Sequence, residues 1–329
     1  MARTIAACLL AGLAMGVTPA DAQDCTKPLR MLTSLPMTSR AGGVMTIPVT
    51  INGTEKQFLF DTGGMLMQVS SGVADDLKLP RYDSPLEIYA VDGSKSDKYT
   101  KVKSFAMGKL PPSPAQLQIS PNKGVDGIFS PMIFKSLDFD MDFAAHKLNL
   151  MLGDHCEGKV IYWPAKAIAV VPFTLRDNHI TVPVTVDGHA LTAIIDTGAS
   201  TSVVRQNVAQ YVLKIAPDSP DLKIVGHLGD DEKASVYTYP FKTLSFEGVT
   251  VTNPHINILT DIVNKQAAHD GNNGRQTGSL IKGEYDDLTL PEVIIGMDVL
   301  SRLHPYLALS EGRLYLTEAS TPAASSPTP

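Results

Sequence analysis

Short runs rich in Val, Ile, Thr and Phe, cut by Gly, Pro and Asp, recur along most of the chain. Apolar residues alternate with polar ones over a few positions and then stop at a turn signal, the pattern of strands joined by tight turns. Long stretches with a period of 3.6 are scarce. A helical turn or two is predicted near residues 73–79 and again near 208–213. The pattern predicts an all-β protein.

The strands are organised by an internal repeat. Thr46-Ile-Pro-Val-Thr-Ile-Asn-Gly ends in Phe58-Leu59-Phe60-Asp61-Thr62-Gly63, and Thr181-Val-Pro-Val-Thr-Val-Asp-Gly ends in Ala193-Ile194-Ile195-Asp196-Thr197-Gly198. The offset is 135 positions throughout, without a gap. Both segments spell strand, Asn-Gly or Asp-Gly turn, strand, which is a β-hairpin signal. A second block recurs further on: Val125-Asp-Gly-Ile-Phe-Ser130 leads to Leu148, and Val293-Ile-Ile-Gly296 leads to Leu314, with the same spacing from Ser130 and from Gly296. The chain is a tandem of two related halves.

The halves differ in their middles. Asp61 to Ser130 spans 69 positions and Asp196 to Gly296 spans 100. Much of the excess is placed in the polar stretch 261–291, a predicted long surface loop. The segment 153–172 joins the halves. The predicted organisation is a first lobe at 23–158, a second at 159–318, and a disordered tail at 319–329 made only of Ala, Ser, Thr and Pro.

Residues 1–22 have the pattern of a secretory signal peptide: Arg3, an apolar stretch from Ile5 to Val17 too short to span a bilayer comfortably, and small residues ending at Ala22. The expected location is periplasmic or secreted, without membrane insertion after cleavage. Cys8 leaves with that segment, so the mature chain keeps Cys25 and Cys156. In an oxidising compartment an even count predicts one disulfide between them; two free thiols are the alternative. The net charge of −6 and the absence of a basic run argue against nucleic acid as a partner. The eight histidines show no ligand-type spacing, so neither a metal site nor a cofactor is predicted.

A carboxylate directly after an apolar strand stands where burying it alone is expensive. Asp61 and Asp196 both stand there, at the same point of each repeat, so an approximate twofold axis brings them face to face. Gly63 and Gly198 let the backbone turn sharply and approach another segment closely. Thr62 and Thr197 can brace the turn with a hydroxyl. Two carboxyls in contact share one proton and titrate as a unit. The ionised one can take a proton from a water between them while the other donates to a carbonyl oxygen, which is general acid–base hydrolysis of an amide.

These features resemble the aspartic peptidase superfamily of pepsin and the retroviral proteases. The resemblance rests on the two Asp-Thr-Gly triplets after apolar strands, on Ile294-Ile295-Gly296, and on Leu137-Asp-Phe-Asp-Met-Asp142. It covers most of 40–318. It implies a bilobal pepsin-like fold, with two related retropepsin-like β-barrel lobes in one chain. It further implies a catalytic pair of Asp61 and Asp196, with Thr62 and Thr197 bonded across the lobe interface. A substrate-covering hairpin falls loosely at 86–102, its tip near Val91, Asp92, Gly93 and Ser94. The substrate is a peptide or protein, and the chain acts as a monomer because both halves are covalently joined.

Two positions depart from the family pattern. Gly64-Met65 follows the first triplet in place of a small polar residue. Ser130 stands where the second half has Gly296, and a serine there either crowds the catalytic turn or adds a hydrogen bond. A non-catalytic peptide-binding protein on the same scaffold is the rival reading. Three other features have plain structural expectations. Asn52-Gly53-Thr54 is a hairpin turn before it is a glycosylation site. Trp163 packs at the lobe junction. Asp298 is structural.

Overall fold

The computed structural model describes residues 25–89, 95–121, 124–176, 178–227, 235–260, 280–282 and 291–319. The signal segment 1–22, the hairpin tip Val91 to Ser94, residues 320–329 of the tail and most of the 261–291 stretch lie outside the described residues. In the first half the strands are β1 (Met31–Pro36), β2 (Thr38–Ser39), β3 (Met45–Ile51), β4 (Thr54–Phe60), β5 (Gln68–Ser70), β6 (Tyr82–Tyr89), β7 (Lys95–Ala106), β8 (Ser113–Ser120), β9 (Gly127–Phe129), β10 (Leu137–Asp142) and β11 (Lys147–Leu152). In the second half they are β12 (Ala169–Pro172), β13 (Thr174–Arg176), β14 (His179–Val186), β15 (His189–Ile195), β16 (Ser202–Arg205), β17 (Lys223–His227), β18 (Ser235–Thr238), β19 (Thr243–Phe246), β20 (Val249–Thr252), β21 (Ile256–Leu259), β22 (Leu280–Lys282), β23 (Val293–Ile295), β24 (Leu303–Ala308) and β25 (Arg313–Glu318). Among the described residues three short α-helices accompany the strands, α1 (Ser71–Asp76), α2 (Gln206–Tyr211) and α3 (Met297–Leu300), with single 3-10 turns at Ala41–Gly43 and Pro131–Ile133. The protein is all-β and bilobal.

Each half is built around one sheet, and the two sheets share a common run of strands. The first runs β2-β3-β4-β9-β5-β8-β7-β6-β22, with β3 also pairing β7. The second runs β17-β18-β21-β16-β23-β15-β14-β19-β20. Reading the second backwards aligns β14, β15, β23, β16, β21, β18 and β17 with β3, β4, β9, β5, β8, β7 and β6. The hairpin turns that open each repeat have φ of 49° and 88° at Asn52 and Gly53, and 47° and 82° at Asp187 and Gly188. Positive φ at both central residues matches the right-handed twist of the flanking strands, which is why Asn-Gly and Asp-Gly serve there. Both turns are tied to the neighbouring strand the same way. Asn52 Oδ1 accepts the Lys103 and Ser104 N–H groups, and Asp187 Oδ1 accepts those of Lys242 and Thr243. Asn52 is therefore engaged as a turn residue.

The predicted helical turns form as α1 and α2. In α1 the Ser70 hydroxyl caps the N-terminus by accepting from Val73 N–H at 3.2 Å. Each helix buries a Val-Ala pair, Val73–Ala74 or Val208–Ala209, against its sheet.

A third sheet joins the lobes in the order β1-β11-β10-β24-β25-β12. At its centre Phe139 opposes Leu307 and Asp140 opposes Tyr306. One face packs into the apolar core through Phe139, Leu148, Leu150, Leu307 and Leu314. The other holds a polar cluster. Asp138 bonds His155 and Tyr306, and Asp140 bonds His304, Tyr162 and Asn149. Trp163 stacks on His304 with ring centroids 3.9 Å apart and donates its indole N–H to Thr317 Oγ1, so it packs at the lobe junction.

The His155 side chain is buried. Burial alone pulls its pKa down, but the hydrogen bonds to Asp138 and the Cys156 carbonyl, with the charges of Asp138 and Glu311, outweigh it and leave the pKa raised. A raised histidine pKa stabilises the fold fully below the unfolded value, about 6.5, and that contribution is lost as pH rises through the folded value. The thermal midpoint is expected to fall as pH climbs above that point. Asp138→Asn should flatten this slope in pH-dependent melting; an unchanged slope would remove His155 as its source.

Cys25 and Cys156 are joined by a disulfide with a sequence separation of 131. It ties the segment before β1 to the segment after β11, the two strands that pair at one edge of the interlobe sheet.

Candidate active site

The two Asp-Thr-Gly turns follow β4 and β15 directly. In each lobe the last apolar triplet runs parallel to a central strand, Phe58–Phe60 to β9 and Ala193–Ile195 to β23. That strand receives the aspartate: Asp61 N–H donates to Phe129 O at 3.0 Å, and Asp196 N–H donates to Ile295 O at 2.9 Å. Phe60 and Phe129 stack 6.0 Å apart in the core below the first turn.

The threonines lock the turns to each other. Thr62 Oγ1 donates to Ile195 O at 2.7 Å and accepts from Thr197 N–H at 3.0 Å. Thr197 Oγ1 donates to Phe60 O at 2.8 Å and accepts from Thr62 N–H at 3.0 Å. Both threonines are fully buried, so each hydroxyl uses its donor and an acceptor site across the lobe boundary. A valine at either position would leave a backbone N–H and a carbonyl of the opposite lobe unpaired, a cost of about 1–3 kcal/mol per buried group.

This lattice presses each carboxyl against the other lobe's glycine. A Cβ built on Gly63 would lie 2.4 Å from Asp196 Cγ, and one on Gly198 would lie 2.5 Å from Asp61 Cγ. No residue larger than glycine fits between them. Gly63 N–H donates to Asp61 Oδ1 and Gly198 N–H to Asp196 Oδ1, both at 2.9 Å. Asp61 and Asp196 retain 3% and 2% of their exposure. Gly63→Ala is expected to cost about 1–3 kcal/mol through overpacking and to displace Asp196. Gly72→Ala serves as the control, because a Cβ there meets nothing within 4 Å. Melting curves and peptide turnover check both, and equal behaviour of the two variants would contradict the close approach.

The predicted substrate-covering hairpin is β6–β7, paired from Tyr82–Tyr99 to Tyr89–Lys95; its tip lies outside the described residues. Two features here have no counterpart in the sequence reading. The second lobe has a matching hairpin, β17–β18, which follows α2 as β6–β7 follows α1. The order of elements after each Asp-Thr-Gly would have located it, since the repeat continues past the matched residues. The stretch 261–291, expected as loop throughout, contributes β22, whose backbone pairs with β6. Its polar surroundings hide a three-residue strand.

Asp298 accepts from Ser202 N–H and Oγ–H, and Ser202 Oγ in turn accepts Gly296 N–H at 2.9 Å. Burial raises the Asp298 pKa against those hydrogen bonds. Through Ser202 the residue is tied to Gly296, whose strand receives the Asp196 N–H. Ser130 is fully buried and donates to Gly64 O at 2.6 Å, so of the two expectations for it the hydrogen bond forms. Among the described residues no group of three His, Cys, Asp or Glu side chains is placed to hold a metal ion.

The family model described as Aspartyl protease matches residues 47–130 and 182–299, one stretch per lobe and together more than half of the chain. The chain belongs to the aspartyl protease family, within the pepsin- and retropepsin-like superfamily. No curated protein sequence matches it significantly. Among solved structures it is similar to the aspartic proteinase from Irpex lacteus, with a TM-score of 0.50 and 15% identity over 89% of this chain and 99% of that one. At that identity the likeness shows the shared fold.

Proposed function

We propose that this chain is an exported aspartic endopeptidase that hydrolyses peptide bonds by activating water between Asp61 and Asp196. The observation that carries the reading is the reciprocal threonine lattice, which holds two buried carboxyls at the lobe boundary, each pressed against the other lobe's glycine. The ionised carboxyl takes a proton from the water, whose oxygen attacks the peptide carbonyl carbon. The protonated carboxyl gives its proton to the carbonyl oxygen. On collapse the C–N bond breaks as the carboxyl that took the water proton gives it to the departing nitrogen, and a hydroxyl of the gem-diol returns a proton to the other carboxylate, releasing a carboxylic acid and an amine. No covalent enzyme intermediate forms, and no cofactor enters the scheme.

The substrate in this reading is an extended peptide or unfolded protein segment. Joining both lobes in one chain supports action as a monomer. Export to the periplasm or medium is supported by the N-terminal signal pattern and the disulfide. The test is digestion of a peptide library by the wild type beside Asp196→Asn. Cleavage by the first and not the second supports the reading. Peptide binding without cleavage would favour a non-catalytic binding protein instead.

A further inference from the structure

The two lobes hold their catalytic turns by different bonds at one equivalent point. Gly64 and Ala199 follow the two Asp-Thr-Gly triplets at the same place in the repeat. Ala199 O accepts the backbone N–H of Met297 at 2.8 Å. The counterpart of Met297, counted from Gly296 and Ser130, is Pro131, which has no N–H to give. In the first lobe the bond comes from one residue earlier, where Ser130 Oγ–H donates to Gly64 O at 2.6 Å.

The substitution works in only one lobe. A Cβ built on Gly296 would meet Ala199 O and the Thr201 carbonyl carbon at 2.8 Å, so the second lobe admits no side chain there and depends on the main chain. The first lobe admits the serine. It also lacks the second lobe's polar support, because the counterparts of Ser202 and Asp298 are Met67 and Met132, both buried among apolar residues. The Gly64 peptide matters to the chemistry through its position. Its N–H donates to Asp61 O at 3.2 Å, and a Cβ on Gly64 would come within 3.1 Å of Asp61 Oδ2.

We propose that Ser130 is a positioning residue for Asp61: its hydroxyl replaces the backbone N–H that Pro131 cannot supply and fixes the first catalytic turn through the Gly64 carbonyl. The inference rests on the hydrolytic reading above. Displacing a catalytic group by a fraction of an ångström lowers turnover more than it lowers binding.

The experiment compares wild type, Ser130→Ala, and the double variant Ser130→Gly with Pro131→Met, which installs the second lobe's arrangement. Ser130→Ala is expected to lower kcat about 10- to 100-fold with KM within about twofold. The double variant should recover most of that loss. Wild-type kcat in Ser130→Ala, or a double variant no better than Ser130→Ala, would overturn the proposal. The carbon-13 shift of the Gly64 carbonyl gives a readout independent of turnover. It should move in Ser130→Ala and return in the double variant, and a shift that does not move overturns the proposal. A wild type that cleaves nothing counts against the hydrolytic reading alone, leaving the carbonyl shift to decide whether Ser130 holds the turn.

Discussion

Asparagine at either Asp61 or Asp196 is expected to lower peptide hydrolysis by at least about 10³-fold while the fold stands. In the proposed mechanism one carboxyl acts as base and the other as acid, and an amide at either place removes one of those roles. The remaining carboxyl cannot perform both. The two substitutions should therefore be strongly non-additive, with the double variant little slower than either single one. Folding survives because asparagine keeps the shape and an oxygen to accept the Gly63 or Gly198 N–H at 2.9 Å. The threonine lattice, which locks the lobes, does not involve the carboxyls. Steady-state kinetics beside thermal melting of the four proteins decide the matter. Activity that persists in one single variant, or in the double, would remove the two-carboxyl mechanism.

Cys25→Ser with Cys156→Ser is expected to destabilise the protein by about 4–5 kcal/mol, the chain-entropy value for a loop of this length. The bond crosses a separation of 131 residues, so most of the first lobe lies inside the closed loop. Its loss also frees the segment leading into β1, an edge strand of the interlobe sheet that pairs only with β11 along that path. Denaturant unfolding of the double variant, beside wild type with and without reductant, measures the effect. A difference under about 1 kcal/mol would mean that native packing, not the cross-link, holds the start of the chain.

The repeat was legible because it lies ungapped across the residues that matter most. Pro48 and Pro183, Gly53 and Gly188, Asp61 and Asp196 match in register, and the hairpins they predict form with matching φ angles. The interlobe sheet was not legible. Leu137-Asp-Phe-Asp-Met-Asp alternates like a strand with one wet face, yet Asp138 and Asp140 are both fully buried. Their partners His155, Tyr162, His304 and Tyr306 come from segments up to 168 positions away, and no local pattern announces them. The hydroxyl bond of Ser130 was half legible. The missing glycine was visible in the repeat, but its link to the proline that follows needs the second lobe's Met297 bond for comparison.

The pairing of β10 with β24 bears on how such a chain could have arisen. Asp140 and Tyr306 occupy the same place in the two repeats, and they stand opposite each other at the centre of the shared sheet. A strand that meets its own counterpart at a twofold axis is self-complementary. A protein made of one such half would carry β10 as an open edge, ready to pair with another copy of itself. Duplication and fusion keep that pairing while letting the two copies drift apart. In a fused chain one copy can carry the Ser130–Pro131 arrangement without imposing it on the other.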